Sequence, residues 1–451
     1  MDTIAAVSTA RAPAAISIVR LSGEESRTLL TRVFRPLKGR LSEPRRMVYG
    51  EFTDAEDCVI DRGLAVFFPA GESYTGEEMA ELYLHGSPMV AELMLRTLYH
   101  LGARAAEAGE FSRRAFLNGR MDLSEAEAIG DLLEADSEAA VRNAAAQLSG
   151  ALRRRVEPLY DGLMAVASRF YAVVDHPDED IRDLSREEIG DALTAAEKGI
   201  ERLLGTFRRG SVLKRGIPVA ILGAPNAGKS SLLNYLLGYD RAIVTDTPGT
   251  TRDTLEEKIS FAGLPLRLID TAGLRESDDA VEKLGMERSR AAAEEAELLL
   301  VLVDGTRPPT KEDKELLYWA NDTLKPFLYV QTKSDLGATV WERDELLPEP
   351  LLFSCVTGEG TDRLEYALRI LFPDAEPDAP GSLLTNERQY AAAEQALAAV
   401  RRAEDAYASG LTPDAVLTDA EEALRCLGEL TGRTAREDLV HQIFSRFCVG
   451  K

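Results

Sequence analysis

Cysteine and histidine are scarce in this chain: four of each in 451 residues, with Cys58, Cys355, Cys426 and Cys448 scattered and no C-x-x-C pair. That excludes a Cys/His zinc site and makes reduced thiols the expectation. No apolar run approaches the roughly 20 residues that cross a bilayer, and the start MDTIAAVSTAR lacks a basic stretch followed by an apolar core. A cytoplasmic protein with no membrane partner is expected. Positive charge is also short, with a formal net charge of -23. A protein that coats nucleic acid by neutralising phosphates is therefore excluded, and any such contact has to be local. The deficit is uneven, since residues 1–120 hold 15 Lys+Arg against 16 Asp+Glu and the excess acid lies beyond them. In that near-neutral part, Arg32, Arg35, Lys38, Arg40, Arg45 and Arg46 cluster against Glu43 alone. They read either as a solvated loop or as an RNA phosphate contact.

What is present is sharper. The run GAPNAGKSSLLN at residues 223–234 directly follows the apolar run IPVAIL and fits G-x-x-x-x-G-K-[ST]. A phosphate loop needs glycines where backbone approaches phosphate, amides aimed inward, a lysine for the terminal phosphates and a hydroxyl for Mg2+. Gly223, Gly228, Lys229 and Ser230 fill these roles, with Asn226, Ala227 and Ser231 completing the loop. Two further elements follow in the order a GTPase requires. Thr250, Thr251, Arg252 and Asp253 form a polar switch segment in which a threonine hydroxyl reaches Mg2+ once the terminal phosphate is present. Asp270, Thr271, Ala272 and Gly273 end the apolar run LPLRLI, which places the acid at a strand's carboxyl end facing the metal and the glycine amide at the terminal phosphate.

Guanine reading in this class uses N-K-x-D, and here residues 332–335 read TKSD. Lys333 and Asp335 are kept, while Thr332 replaces the Asn that ties this loop to the phosphate loop, so guanine specificity with some loss of affinity is expected. Ser354-Cys355 follows the run LLF and matches the weak loop that contacts the guanine carbonyl. Leu274 stands where Ras-type enzymes carry the water-orienting Gln. Glu282 is the candidate for that task, against the plain reading of an exposed helix-start carboxylate; Arg275 is a weaker candidate. Oxygen donors of Asn226 and of the loop from Thr245 through Asp246, Thr247, Pro248 and Gly249 to Thr250 suit a monovalent cation beside the phosphates, an electrostatic replacement for an arginine finger.

Composition divides the chain into four stretches. Residues 1–118 mix β-like runs (AAISIVRL, LAVFFPA) with a helical stretch at residues 89–99, an α+β pattern. Residues 119–211 carry long helical stripes, which Pro158 is expected to kink or divide and which are expected to stop at Arg208-Arg209-Gly210-Ser211. Residues 212–373 form an α/β nucleotide domain with a mixed sheet and flanking helices. Residues 374–451 return to helix, with a capping box from Thr434 to Glu437 and a terminal FCVGK. The economical architecture is one helical domain, discontinuous in sequence, with the nucleotide domain inserted.

At this point the chain closely resembles the bacterial and organellar tRNA uridine modification GTPase family MnmE, also called TrmE. The resemblance extends over essentially the whole chain through SYTGEEMAELYLHGSP, GEFSRRAFLNGRMDL, DHPDEDI, GSVLKRG and FCVGK, besides the GTPase motifs. It implies a folate-binding α+β N-terminal domain that dimerises, a discontinuous helical domain and an inserted Ras-like P-loop G domain. It further implies K+ on Asn226, Thr245, Thr247 and Thr250, Mg2+ on Ser230 and Thr251, Lys229 and Glu282 in catalysis, and a tetrahydrofolate derivative (5-formyl or methylene) on Arg20, Glu81, Arg120 and Lys451. The implied partners are a second copy, the flavin-dependent protein MnmG (GidA) in a heterotetramer, and tRNA, whose wobble uridine gains a (carboxymethyl)aminomethyl group on carbon 5 at the expense of GTP. The chain departs from the family at ARAPAA, at HGS in place of HGG, and at Arg120 in place of Lys. The competing reading is a regulatory P-loop GTPase of ribosome assembly, which would show a GXXG loop or a basic appendage; neither is evident. A dynamin-like assembly protein would need a membrane-binding stretch, which is also missing.

Overall fold

The computed structural model describes residues 2–41, 43–175, 185–239, 257–269, 291–337, 344–372, 381, 383–434, 440, 443–445, 447 and 449–450. They divide into two compact units, one of residues 1–130, 156–183 and 409–451, the other of residues 131–155 and 184–408.

The first unit is built on strands β1 (Ile4–Val7), β2 (Ile16–Ser22), β3 (Phe34–Lys38), β4 (Val48–Thr53), β5 (Val59–Phe68), β6 (Met79–His85) and β7 (Arg104–Ala105), in the order β3-β4-β5-β6-β2-β1-β7. All neighbours pair antiparallel except β1 with β7. An antiparallel sheet can bury one face only, and the sequence alternates accordingly. Val19, Leu21, Ala65, Phe67, Leu82 and Leu84 point into a core closed by helices Ser26–Val33 and Pro88–His100, while Arg20, Glu81 and Tyr83 occupy the opposite face. In the same unit, Phe116, Leu123 and Ala126 pack with Val440 and Phe444. Helix Pro413–Thr431 ends at Gly432, whose φ of +86° and 2.7 Å approach of a would-be Cβ to the Phe116 ring admit no other residue without strain.

The second unit holds β8 (Ile217–Gly223), β9 (Glu257–Phe261), β10 (Leu264–Leu268), β11 (Leu298–Asp304), β12 (Phe327–Thr332) and β13 (Leu351–Leu352), ordered β13-β12-β11-β8-β10-β9. Only β9 is antiparallel. Parallel strands are covered on both faces, which is why LLLVLVD in β11 is buried at every position. Helices Lys229–Tyr239, Lys311–Asp322 and Thr361–Leu371 accompany this sheet. Around it lie helices Glu138–Leu148, Arg186–Leu204, Phe207–Arg215 and Glu387–Ala408. The two helical blocks do meet across the inserted sequence: Arg401 pairs with Glu197 and Glu201 at 2.9 and 2.6 Å.

Two sequence expectations about helix ends are corrected. Pro158 neither ends nor divides a helix, because helix Ala151–Asp175 runs through it. The breaks fall instead at Ser137, which accepts the Ala140 amide as an N-cap, and at Gly150, with φ +78°. Nor does helix stop at residues 208–211, since Phe207–Arg215 is helical through Gly210. That glycine answers a packing demand: a Cβ there would lie 2.0 Å from the Leu384 carbonyl oxygen. The capping box reaching Glu437 lies outside the described residues.

Candidate nucleotide and N-terminal sites

Strand β8 delivers the chain into the loop 223–230, and helix Lys229–Tyr239 departs from it with its first amides facing the loop. The backbone there is one that L side chains resist. Gly223 has φ +158° and a would-be Cβ 2.6 Å from the Leu302 carbonyl, while Gly228 has φ +91° and Asn226 φ +61°. A loop of successive left-handed and right-handed residues turns its amides to one side and makes an anion nest. Lys229 lies across this nest, its Nζ donating to the carbonyls of Gly223 at 2.7 Å and Ala224 at 3.0 Å. Burial pushes its pKa down from the ordinary lysine value, as desolvation disfavours the ammonium. Ser230 and Ser231 open the helix at the loop's end.

The segment 332–335, expected from its sequence to read the base, sits beside the nest. Thr332, at the end of β12, is buried and donates its hydroxyl to the Ala227 carbonyl at 2.8 Å, with the Val303 carbonyl at 3.2 Å. The tie to the phosphate loop expected to weaken with Thr in place of Asn is thus made by the threonine itself. Lys333 follows with φ +61° and places its ammonium 2.7 Å from Asp304 Oδ2. Asp335 accepts the Ser354 hydroxyl at 2.7 Å, and Ser354 in turn accepts the amides of Val356 and Thr357. Ser354 is fully buried, so it reaches the site through Asp335, fixing that carboxylate's direction. Burial pushes the neighbouring Cys355 thiol up to about 11.

Sequence reasoning missed Asp304. Burial by itself would raise its pKa, but the Lys333 ammonium and the hydroxyl and amide of Thr306 hold it down at about 2. Its signal was available: an acid at the carboxyl end of the fully apolar run LLLVLV, followed by Gly305, whose amide donates to the Thr332 carbonyl. Asp304 therefore sets the position of the lysine that would cover the base.

Of the remaining nucleotide residues named from sequence, Thr245, Asp246, Thr247, Pro248, Gly249, Thr250, Thr251, Asp270, Thr271, Ala272, Gly273 and Glu282 lie outside the described residues, as do Leu274 and Arg275. Strand β10 ends at Leu268, and Ile269, the residue before this second group, donates its amide to the Val219 carbonyl of β8 at 3.0 Å, so the strand ends beside the one that feeds the loop 223–230.

In the N-terminal unit, Arg20 and Glu81 face each other across β2 and β6 and form a two-bond pair at 2.9 and 2.8 Å. The guanidinium is backed by the rings of Tyr74 at 5.4 Å and Phe111 at 5.7 Å. Glu81 also accepts the Tyr83 hydroxyl, and burial together with that carboxylate pushes Tyr83 up to about 12. Arg120 does not join this pair directly. It donates to the Gly71 carbonyl at 3.1 Å and packs along Gly76, in the same loop that carries Tyr74. That loop is held from below by a buried polar knot. Arg114 bonds Glu77 at 2.9 Å, Glu110 at 2.9 Å and Asp2 at 2.8 Å, and Ser22 bonds both Thr75 and Glu77. The guanidinium of Arg104, with that of Arg114, holds Asp2 down at about 2. The C-terminal tail returns to the same unit, where Ala108 bridges Val449 and Ser8 bonds the Gly450 carbonyl at 3.1 Å. Lys451 and Cys448 lie outside the described residues.

Three of the six basic residues of the cluster are paired with acids. Arg35 bonds Asp57, Arg45 bonds Glu72 at 3.0 Å and Arg46 bonds Glu43, all exposed. That favours the solvated reading. Among the described residues no group of His, Cys, Asp and Glu could hold a metal, and no helix is long and apolar enough to cross a membrane.

A family model described as the MnmE helical domain matches residues 123–448, and one described as the GTP-binding protein TrmE N-terminus matches residues 3–120. The chain is 40% identical over 466 residues to the tRNA modification GTPase MnmE of Roseiflexus castenholzii, covering 100% of this chain and 99% of the relative. It is 42% identical over 451 residues to the protein of that name from Akkermansia muciniphila, with the same coverage. Among solved structures, the G domain of the T. maritima FeoB iron transporter is 28% identical over 34% of this chain and 96% of its own, at a TM-score of 0.25.

Proposed function

The chain belongs to the tRNA modification GTPase MnmE (TrmE) family, and from that premise we propose that it is the GTP-hydrolysing component of a tRNA-modifying complex that elaborates carbon 5 of the wobble uridine. The observation that carries this reading is the loop 223–230, a nest of strained backbone with Lys229 across it, tied by Thr332 to a base-reading segment in a chain related along its whole length to such enzymes. No corresponding observation favours the ribosome-assembly alternative.

In this reading the division of labour follows residues 1–118 (folate and dimerisation), 119–211 with 374–451 (helical) and 212–373 (nucleotide). The nest amides and Lys229 receive the phosphates, and Asp335, aimed by Ser354, takes the guanine edge while Lys333, aimed by Asp304, covers the ring. The nest suits phosphate because the positive φ at Asn226 and Gly228 turns backbone amides to one side, next to the Lys229 ammonium. Ser230 and Thr251 would hold Mg2+, and Asn226, Thr245, Thr247 and Thr250 a K+ ion; both would supply positive charge beside the phosphates. Glu282 is the carboxylate proposed to place the attacking water. Arg20, Glu81, Arg120 and Lys451 are proposed for the tetrahydrofolate derivative. A carboxylate beside an aromatic-backed guanidinium offers the acceptor and donor types that a pterin's N–H groups and a glutamate tail require. The proposed partners are a second copy, the flavoprotein MnmG in a heterotetramer, and tRNA.

The nucleotide half of this reading is tested by turnover of GTP in equal ionic strengths of K+ and Na+. K+ is expected to accelerate hydrolysis by about tenfold or more, the scale of one well-placed charge in an active site, and Asn226→Ala to abolish the difference. Equal rates in the two salts would remove the monovalent-cation assignment.

A further inference from the structure

The nucleotide-binding sheet is inserted between helical segments, so its covalent connections to them are two lengths of chain. The entering length is helix Phe207–Arg215, which ends at Gly216 one residue before β8. The returning length includes Gly381 and residues 383–386, ahead of helix Glu387–Ala408.

These lengths are packed on each other and on one acid. Leu384 donates its amide to the Thr206 hydroxyl at 3.1 Å, and Gly210 leaves room for the Leu384 carbonyl, which would stand 2.0 Å from a Cβ. Gln147 donates to the Leu383 carbonyl at 2.7 Å, and Asn143 accepts the Gly381 amide at 2.7 Å. Asp131, at the end of helix Leu123–Glu134, divides its carboxylate between the two: Oδ1 takes Lys214 Nζ of the entering helix at 2.6 Å, and Oδ2 takes the Thr385 hydroxyl of the returning segment at 3.0 Å. The pair is largely withdrawn from solvent, with 10% of the Asp131 side chain and 27% of Lys214 exposed. The opposite side of the entering helix carries Val212 into the core of β8, β9 and β10, and β10 ends next to the Asp270 segment.

We propose that Asp131 is a clasp at the neck of the nucleotide domain: a positioning residue that locks the entering and returning chain together, so that movement of the β10 end driven by the nucleotide is delivered to the helical residues. A carboxylate suits the task because it alone offers two acceptors on one rigid plane, one for a cation and one for a hydroxyl. Packed interfaces transmit displacement when they move as one body, and the clasp makes two chain lengths one body. A second contact, Lys258 of β9 to Asp136 at 3.6 Å, is more exposed and adds little.

The test unties each length separately in the full chain, by Lys214→Met and by Thr385→Val. Native protein is expected to slow amide exchange at Leu384 and Thr385 when a non-hydrolysable GTP analogue replaces GDP, and both variants to lose that difference. GTP turnover is expected to stay within about twofold, while wobble-uridine modification falls by about tenfold or more, the range of an ordinary coupling energy. Variants that keep the nucleotide-dependent exchange difference, or that lose turnover and modification in equal proportion, would overturn the clasp. The modification arm rests on the function proposed above; a native chain that supports no modification would count against that function, and the exchange arm would still decide the clasp.

Discussion

Replacing Thr332 by Val removes one hydroxyl and keeps the β-branched shape, so it isolates the tie between the base-reading segment and the phosphate loop. The hydroxyl is buried and has one proton, which goes to the nearer carbonyl, that of Ala227 at 2.8 Å, with Val303 at 3.2 Å in second place. Losing a buried hydrogen bond costs about 1 kcal/mol net, and leaving the acceptor without its donor brings the total to about 1–2 kcal/mol. Because both loops are proposed to touch the nucleotide, most of that loss is expected to appear in binding. The expected change is a fluorescent-GDP Kd weaker by about 5- to 30-fold, since about 1.4 kcal/mol is a factor of ten. Thr332→Ser retains the donor and is expected to stay within about threefold, as a hydroxyl on a freer side chain. Thr332→Asn is expected to bring no gain, because the tie already exists. A Thr332→Val protein that binds GDP as tightly as the native chain, at unchanged thermal stability, would refute the reasoning.

Two further predictions concern stability. Gly210→Ala places a Cβ 2.0 Å from the Leu384 carbonyl oxygen, a backbone clash that no rotamer relieves, and is expected to destabilise by about 2–3 kcal/mol or more in urea unfolding; a change under about 0.5 kcal/mol, the level of an ordinary surface substitution, would show that the returning chain does not press on the helix. Asp304, held at about 2 in the folded protein, stabilises it above the carboxyl's unfolded value near 4, and that contribution is lost as pH falls from about 4 toward 2. Unfolding titrations at pH 6, 4 and 3 are expected to show a steeper acid loss for the native chain than for Asp304→Asn; parallel curves would mean that Lys333 does not hold the acid in solution.

The part of the site legible in the sequence was the part in which backbone geometry dictates residue type. Phosphate loops require glycine at fixed spacing, and the strand-loop-helix around Gly223, Gly228 and Lys229 follows. The continuously apolar β8 and β11 likewise announced a buried parallel sheet. Less legible were residues whose role depends on what the fold brings against them. Gly210 in RRGS has the composition of a helix stop, yet it sits inside a helix because Leu384, 174 positions away, needs its missing Cβ. Pro158 has the composition of a break, but one lost amide bond is outweighed where flanking side chains such as Val156 and Leu163 are fully buried. Thr332 departs from the expected Asn and still makes the tie, because a donor of different length reaches the carbonyl when β12 ends close beside the loop.

The central claim is that nucleotide turnover on this chain serves wobble-uridine modification. The most direct measurement is nucleoside mass spectrometry of tRNA from a bacterial strain lacking its own modification GTPase, carrying either the native chain or Lys229→Ala. Restoration of the modified uridine by the native chain alone is predicted. Failure of both, with soluble protein and the flavoprotein partner present, would contradict the account, and restoration by both would separate the modification from the phosphate loop.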